Sequence, residues 1–203
     1  MNHVYLSGDA IAPSKIVCVG RNYVAHIEEL GNEVPENMVL FCKPNSAIGS
    51  ELVAVRDEPL HYEGELCFMV LDGKLAAVGF GLDLTKRGLQ SKLKEKGLPW
   101  ERAKAFDGAA LFSEFVPVDS VDPTLNFELS LDGVSTQRGN LDLMIYKPDQ
   151  VLAEVSAFMS LNDGDIIMTG TPKGVGEVRS GTRFEGRVMA GDSELVSVAF
   201  TAS

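Results

Sequence analysis

The sequence is short of the residues that build zinc, disulfide and redox sites. It has three cysteines, three histidines and one tryptophan in 203 residues. Cys18, Cys42 and Cys67 are odd in number, show no CxxC spacing and sit in apolar stretches. That pattern argues against a disulfide framework or a zinc site and suits buried free thiols in a reducing cytoplasm. No run approaches the ~18 consecutive apolar residues of a membrane span. The first ten residues lack a basic region followed by an apolar core, so no signal peptide is expected. Basic residues are also scarce, 18 Lys plus Arg against 29 Asp plus Glu, for a net charge of −11. Nucleic-acid binding through a basic surface is therefore not expected, because phosphate neutralisation needs clustered cations. Repeats and low-complexity tracts are missing, and Gly and Pro are scattered rather than pooled into a linker. We expect one continuous domain over 1–203.

What is present is ordinary globular material, 45% hydrophobic and 23% charged. A chain of this length buries roughly 70% of its unfolded surface, enough for a core without staples. Strands are expected at 15–19, 39–42, 63–71, 76–83, 125–131, 134–138, 165–169 and 194–201. Asp72-Gly73 and Asp132-Gly133 read as hairpin turns, since a two-residue type I′ turn needs positive φ. Helices are expected before Gly31, from a cap at Thr85 to about Lys96, and from Pro148 to Leu161. In the last, Val151, Leu152, Val155, Phe158 and Met159 follow the 3.6 period. Strands dominate with helices placed irregularly between them, which is α+β rather than a regular βαβ alternation.

Four features bear on chemistry. Glu63 and Glu65 are two apart on an expected strand, so both carboxylates project from one face. Like charges that close repel unless a cation or proton is shared. Asp83, at the end of another expected strand, offers a third oxygen. Such a set favours a hard cation such as Mg²⁺ or Mn²⁺, with Ca²⁺ as a substitute; the plain alternative is a solvated strand face. His26 and Glu29 are three apart on an expected helix. A His held by a carboxylate is a candidate general base, and the alternative is a surface pair. The loop Thr169–Gly176 (TGTPKGVG) follows a strand, and its glycines let backbone N–H groups approach an anion. It lacks the P-loop order, and the alternative is a tight structural bend. Lys104, in WERAKAF, taken alone reads as a solvated lysine.

Together these pieces resemble the fumarylacetoacetate hydrolase family. The resemblance rests on VGRNYVAHIEE (19–29), KP (43–44), YEGEL (62–66), LDLTKRGLQ (82–90), KGLPWERAKAF (96–106), MIY (144–146) and LNDGDIIMTGTPKGVG (161–176). GRNYxxHxxE and KGLPWxxAKxF point to its short, single-domain branch. The resemblance implies a mixed β-roll, a homodimer and a divalent ion on Glu63, Glu65 and Asp83. It carries a catalytic dyad onto His26 and Glu29 and an essential lysine onto Lys104. Substrate contacts fall on Arg21, Arg87, Gln90, Gly170 and Thr171. The implied activity is hydrolysis of the C–C bond of acylpyruvates such as fumarylpyruvate or acetylpyruvate, releasing pyruvate as its enolate. Oxaloacetate decarboxylation or tautomerisation, or isomerisation of a 2-hydroxy-diene dioate, would use the same site. A non-catalytic binder of metal and dicarboxylate is the alternative of a different class.

Two departures stand out. Gly88 replaces the family's Asp after the arginine, and Thr136 replaces its Arg before Gln137. The stretch 71–81 is also short, without the small helix common there. The polar loop 31–37 is read as a lid over the dyad.

Overall fold

The structure is a computed structural model that describes residues 1–29, 31 and 35–203. Residues 32–34 of the expected lid lie outside the described residues. Two short strands, β1 (Val4–Leu6) and β2 (Asp9–Ile11), form an N-terminal hairpin. Then come β3 (Lys15–Gly20), α1 (Val24–Glu29), β4 (Val39–Pro44), β5 (Val55–Arg56), β6 (Glu58–Tyr62), β7 (Gly64–Leu71) and β8 (Lys74–Asp83). They continue as β9 (Thr85–Lys86), α2 (Arg87–Glu95), α3 (Glu101–Lys104), β10 (Ala110–Phe112), β11 (Val116–Pro117), β12 (Leu125–Leu131) and β13 (Val134–Asn140). The last are α4 (Pro148–Phe158), β14 (Ile166–Met168), β15 (Gly176–Glu177), β16 (Arg183–Ala190) and β17 (Ser193–Thr201).

The central sheet runs β10-β8-β7-β14-β3-β4, with β11 also on β8. Its β14–β3 pair is parallel; the neighbouring pairs are antiparallel. A four-stranded sheet, β13-β12-β16-β17, packs on one face through β12 on β7 and β16 on β8. A smaller sheet groups β15, β6, β5 and β9. This is the mixed, strand-dominated α+β roll expected.

The central strands are apolar on both faces because both faces are covered. Val17, Val19, Leu66, Phe68, Val70 and Ile167 point into the core shared with the four-stranded sheet. Ile16, Cys18, Cys67, Met69, Ile166 and Met168 point the other way, into a second cluster closed by Val4 and Phe115. Both expected hairpins form. Asp72 and Gly73 have φ of 49° and 68°, and Asp132 and Gly133 have 48° and 80°.

Three expectations are corrected. Thr85 does not cap a helix. It lies in β9 with its hydroxyl turned to Asp83 and Lys104, and α2 starts at Arg87. The last expected helix stops at Phe158, where Met159 turns extended, so Phe158 is 61% exposed while Val151 and Val155 are buried. Glu63 lies one residue before β7 rather than in it. No helix among the described residues is long and apolar enough to cross a membrane.

Asp165 locks the start of β3 to the turn before β14. Its carboxylate accepts from Ser14 N (2.8 Å), Ser14 Oγ (2.7 Å) and Asn162 N (2.9 Å) and pairs with Lys15 Nζ (2.5 Å). Burial alone would raise its pKa, but the Lys15 and Ser14 bonds hold it below the usual 3.8. A carboxyl depressed in the folded state stabilises above its unfolded pKa and loses that stabilisation as pH falls. Asp165→Asn should therefore cost roughly 2–3 kcal/mol at neutral pH. In denaturant melts its deficit should shrink below about pH 4; a pH-independent deficit would contradict this.

Candidate active site

The β7–β8 ladder places three acids side by side. Glu65 pairs with Gly81 and Gly64 with Leu82. One step on, Asp83 N donates to Glu63 O at 2.8 Å. Glu63, Glu65 and Asp83 thus share one face by strand period and register. One ligand oxygen from each lies within 4.8 Å of the others, and the residues are 6%, 1% and 1% exposed.

Cations meet this buried negative charge. Lys104 Nζ donates to Glu63 Oε2 (2.9 Å), Asp83 Oδ2 (2.7 Å) and Thr85 Oγ1 (2.7 Å). Lys43, fully buried, sits 2.8 Å from Asp83 Oδ1 and bonds the Lys104 and Ala109 carbonyls. Arg87 Nη2 pairs with Glu63 Oε1, and its Nη1 donates to Gln90 Oε1 at 2.8 Å. Burial would raise the Glu63 pKa, but Lys104 and Arg87 overcome it and hold the carboxyl well below the usual range. Glu65 goes the other way. Burial, then Asp83 and Glu63, push it well up, against the amide of Gly170 (2.7 Å). Burial lowers Lys104, but Asp83 and Glu63 outweigh it and keep the ammonium charged.

The donor set fits a divalent ion. It offers three carboxylate oxygens and no sulfur or nitrogen, as hard cations prefer. Among the described residues Asp83 Oδ1 accepts no hydrogen bond despite its burial, so its contact with Lys43 is one of charge. A cation there would offset the burial and the neighbouring carboxylates that push Glu65 up.

The dyad forms beside the acids. His26 Nδ1 lies 3.2 Å from Glu29 Oε2, with the histidine side chain 7% exposed and the glutamate 33%. Glu29 Oε1 also accepts from Gly174 N at 2.9 Å. The TGTPKGVG loop thus grips the site twice, through Gly170 on Glu65 and Gly174 on Glu29. Gly170 has φ of 97°, and a Cβ there would come within 2.9 Å of Val19 O and of Asn22 Cβ. Asn22, in the GRNY segment, ties the loop further by donating to Thr169 O and Tyr146 O and accepting from Tyr146 N.

The expected site residues converge. Arg21, His26, Arg87, Gln90, Lys104 and Thr171 line one cavity with the three acids. Glu29 and Gly170 stand behind it. The cavity holds about 40 Å³, room for a few waters.

Several residues were missed from sequence. Lys43 falls in the KP pair (43–44) that carries the resemblance, but no role was read for it. Gln137 buttresses the start of β7 by accepting from Gly64 N (2.9 Å) and donating to Thr171 Oγ1 (2.8 Å). Thr136, at the other departure, turns its hydroxyl to Val134 O. Glu58 explains Gly88. Its Oε1 accepts from Gly88 N (2.8 Å) and Leu89 N (3.2 Å), capping α2 from a neighbouring strand. A Cβ on Gly88 would lie 3.3 Å from that carboxylate, so Asp there would set two like charges together. Phe41, Lys94 and Trp100 complete the cavity wall.

Because Glu65 is held up while no cation is bound, Glu65→Gln should leave the metal-free melting temperature unchanged or higher. Mn²⁺ at about 100 times its Kd should raise the parent's melting temperature by roughly 5–10 °C and barely move the variant's. A variant that responds like the parent would exclude Glu65 as a ligand.

Residues 15–202 match the model of the family "Fumarylacetoacetate (FAA) hydrolase C-terminal". The chain is 39% identical over 188 residues to the oxaloacetate tautomerase YcgM of Escherichia coli K12, covering 83% of this chain and 85% of that one. It is 36% identical over 207 residues to the mitochondrial oxaloacetate tautomerase oaa1 of Schizosaccharomyces pombe, covering 92% and 94%. Among solved structures, fumarylpyruvate hydrolase from Pseudomonas aeruginosa, in complex with Mn²⁺ and pyruvate, superposes with a TM-score of 0.85 at 32% identity over 99% and 97% of the two chains. With its three acids, His26 and Lys104 lining one cavity and a family match over nearly its whole length, the chain belongs to the fumarylacetoacetate hydrolase family.

Proposed function

We propose that the protein is a divalent-metal-dependent enzyme that interconverts the keto and enol forms of oxaloacetate. The carrying observation is a buried three-carboxylate face beside a histidine–glutamate pair, in a chain whose relatives at 36–39% identity are named oxaloacetate tautomerases or oxaloacetate decarboxylase. Tautomerisation thus moves ahead of the acylpyruvate hydrolysis expected from sequence.

Glu63, Glu65 and Asp83 would hold Mg²⁺ or Mn²⁺, which when bound supplies Lewis-acid polarisation of a 2-oxo oxygen. Arg87 presents a planar fork suited to a carboxylate oxygen, and Gln90 steadies it. His26 presents Nε2 to the substrate because Nδ1 is engaged by Glu29. Nε2 takes a proton from C3, and Glu29 stabilises the imidazolium that forms. Negative charge then develops on the C2 oxygen, where Lys104 stabilises it without giving up its own proton. The imidazolium returns a proton to that oxygen, which gives the enol. The reverse path restores the ketone.

Hydrolysis of an acylpyruvate is the second reading, favoured by the likeness to fumarylpyruvate hydrolase. There His26 would deprotonate a water instead of C3. In a paired assay of oxaloacetate enol–keto exchange and acylpyruvate cleavage with Mg²⁺ or Mn²⁺, exchange should be the faster activity and should vanish with a chelator. His26→Gln should lower kcat by about 10²–10⁴ while leaving Mn²⁺ affinity within about twofold, since it removes no ligand oxygen. Parent-like exchange in that variant, or full activity in chelator, would overturn the proposal.

A further inference from the structure

The path of the central sheet has two ends, β4 and β10. Laid flat at about 4.8 Å per strand, β4 would sit roughly 19 Å from β8. Instead the sheet curls until its ends meet. Just after β4, Gly49 N donates to Ala110 O at 2.9 Å, and Ile48 bridges Ala110 on β10. Lys43, fully buried, crosses the same seam from β4. Its Nζ donates to Lys104 O and to Ala109 O (3.1 Å) and lies 2.8 Å from Asp83 Oδ1, at the end of β8.

Closing a seam does not call for a charge. An apolar side chain of similar length would fill the space without the desolvation cost of an ammonium. Ile16, opposite Lys43 in the β3–β4 register, is apolar and fully buried, which shows what that face accepts. The ammonium instead ties two groups of the site together. Asp83 has a cation at each oxygen, Lys43 at Oδ1 and Lys104 at Oδ2 (2.7 Å), and this sets the rotation of its carboxylate. Lys104 is the last residue of α3, a helix of four residues. A helix that short is not stable by itself, so the place of the Lys104 backbone depends on ties from outside. Lys43 supplies one at the Lys104 carbonyl and a second at Ala109, across the loop 105–109.

We propose that Lys43 is a positioning residue that joins the Asp83 carboxylate and the Lys104 backbone into one unit, so that the ion ligand and the charge-stabilising ammonium keep a fixed relation. The inference rests on the proposed function for the roles of Asp83 and Lys104 and adds the residue that sets them. Lys43 is not among the residues lining the cavity, so it acts through those two groups. Its effect therefore falls on kcat more than on KM.

The test joins kinetics with amide hydrogen exchange on the metal-free protein. In Lys43→Met, exchange over residues 101–109 should speed up by about tenfold or more while β7 and β14 keep parent rates. With Mn²⁺, its kcat for oxaloacetate exchange should fall by about 10²-fold, as expected for a misplacement near 1 Å, with KM within about threefold. Added to Lys104→Met, the same change should cost less than about threefold more, because residues acting as a unit are not additive. Lys43→Arg keeps the charge but moves the donors. It should lose about tenfold in kcat with faster exchange over 101–109, and it carries the test where Lys43→Met does not fold. Ile16→Val, a loss of packing at the same seam, should lower the melting temperature by about 2–4 °C and leave kcat within about twofold. Parent-like kcat in both Lys43 variants, fully multiplicative losses in the double variant, or exchange that speeds up equally in β7 and β14 would overturn the inference. A parent without oxaloacetate exchange, or Lys104→Met at the parent's rate, would sink the proposed function alone. Exchange over 101–109 would then still decide whether Lys43 holds Lys104, parent-like rates overturning it.

Discussion

The structure depends on burying three carboxylates on one face of a strand ladder. Register and period put Glu63, Glu65 and Asp83 together whatever their charge, and the apolar faces of β7 and β8 keep water away. Charges taken out of water are costly unless paired, and losing one partner of a buried pair costs about 3–5 kcal/mol. Lys43 and Lys104 follow from that constraint. Lys104 comes from a four-residue helix that sequence periodicity cannot reveal, yet its ammonium is held by three oxygens. Lys43 rises from beneath, the one buried residue of β4, whose apolar neighbours Val39 to Cys42 are only partly covered.

That balance is incomplete on purpose-built lines. Glu63 is held ionised by Lys104 and Arg87, while Glu65 has an amide of Gly170 but no lysine contact and is pushed toward its neutral form. Asp83 keeps one oxygen without a hydrogen bond. A divalent ion at the common point of the three would satisfy both shortfalls at once. The surrounding hydrogen bonds fix the ligands beforehand. Gln137 accepts from the Gly64 amide beside Glu63, and Gly170, at positive φ with no room for a Cβ beside Val19 and Asn22, aims its amide at Glu65. Preorganised donors and acceptors of this kind are what electrostatic catalysis requires.

Much of this was legible in sequence, and the reasons are specific. The ExE spacing and the Asp-Gly turns carry geometry directly, because strand period and type I′ dihedrals leave few choices. The central strands read clearly since both faces are apolar. β16 did not, because its inward positions are Phe184, Gly186 and Val188, and the glycine breaks the alternation. Gly186 is required there, as a Cβ would meet the Phe80 ring at 2.2 Å. Thr85 looked like a helix cap by local rules, but its hydroxyl serves Lys104, and the cap of α2 arrives from Glu58 on another strand. Gly88 looked like a lost charge and proved to be the space that Glu58 needs. Such exchanges between distant positions leave no local signature. Net charge was likewise a poor guide to the site, since a chain of net charge −11 lines one cavity with four Lys and Arg side chains.

Glu63, Glu65 and Asp83 are proposed as a divalent-cation site. This is tested most directly by diffraction from crystals grown with Mn²⁺, using the anomalous signal of the metal. One strong peak is expected between Glu63, Glu65 and Asp83, about 2.0–2.6 Å from an oxygen of each. No peak there at saturating Mn²⁺, with Lys104 still bridging Glu63 and Asp83, would contradict it.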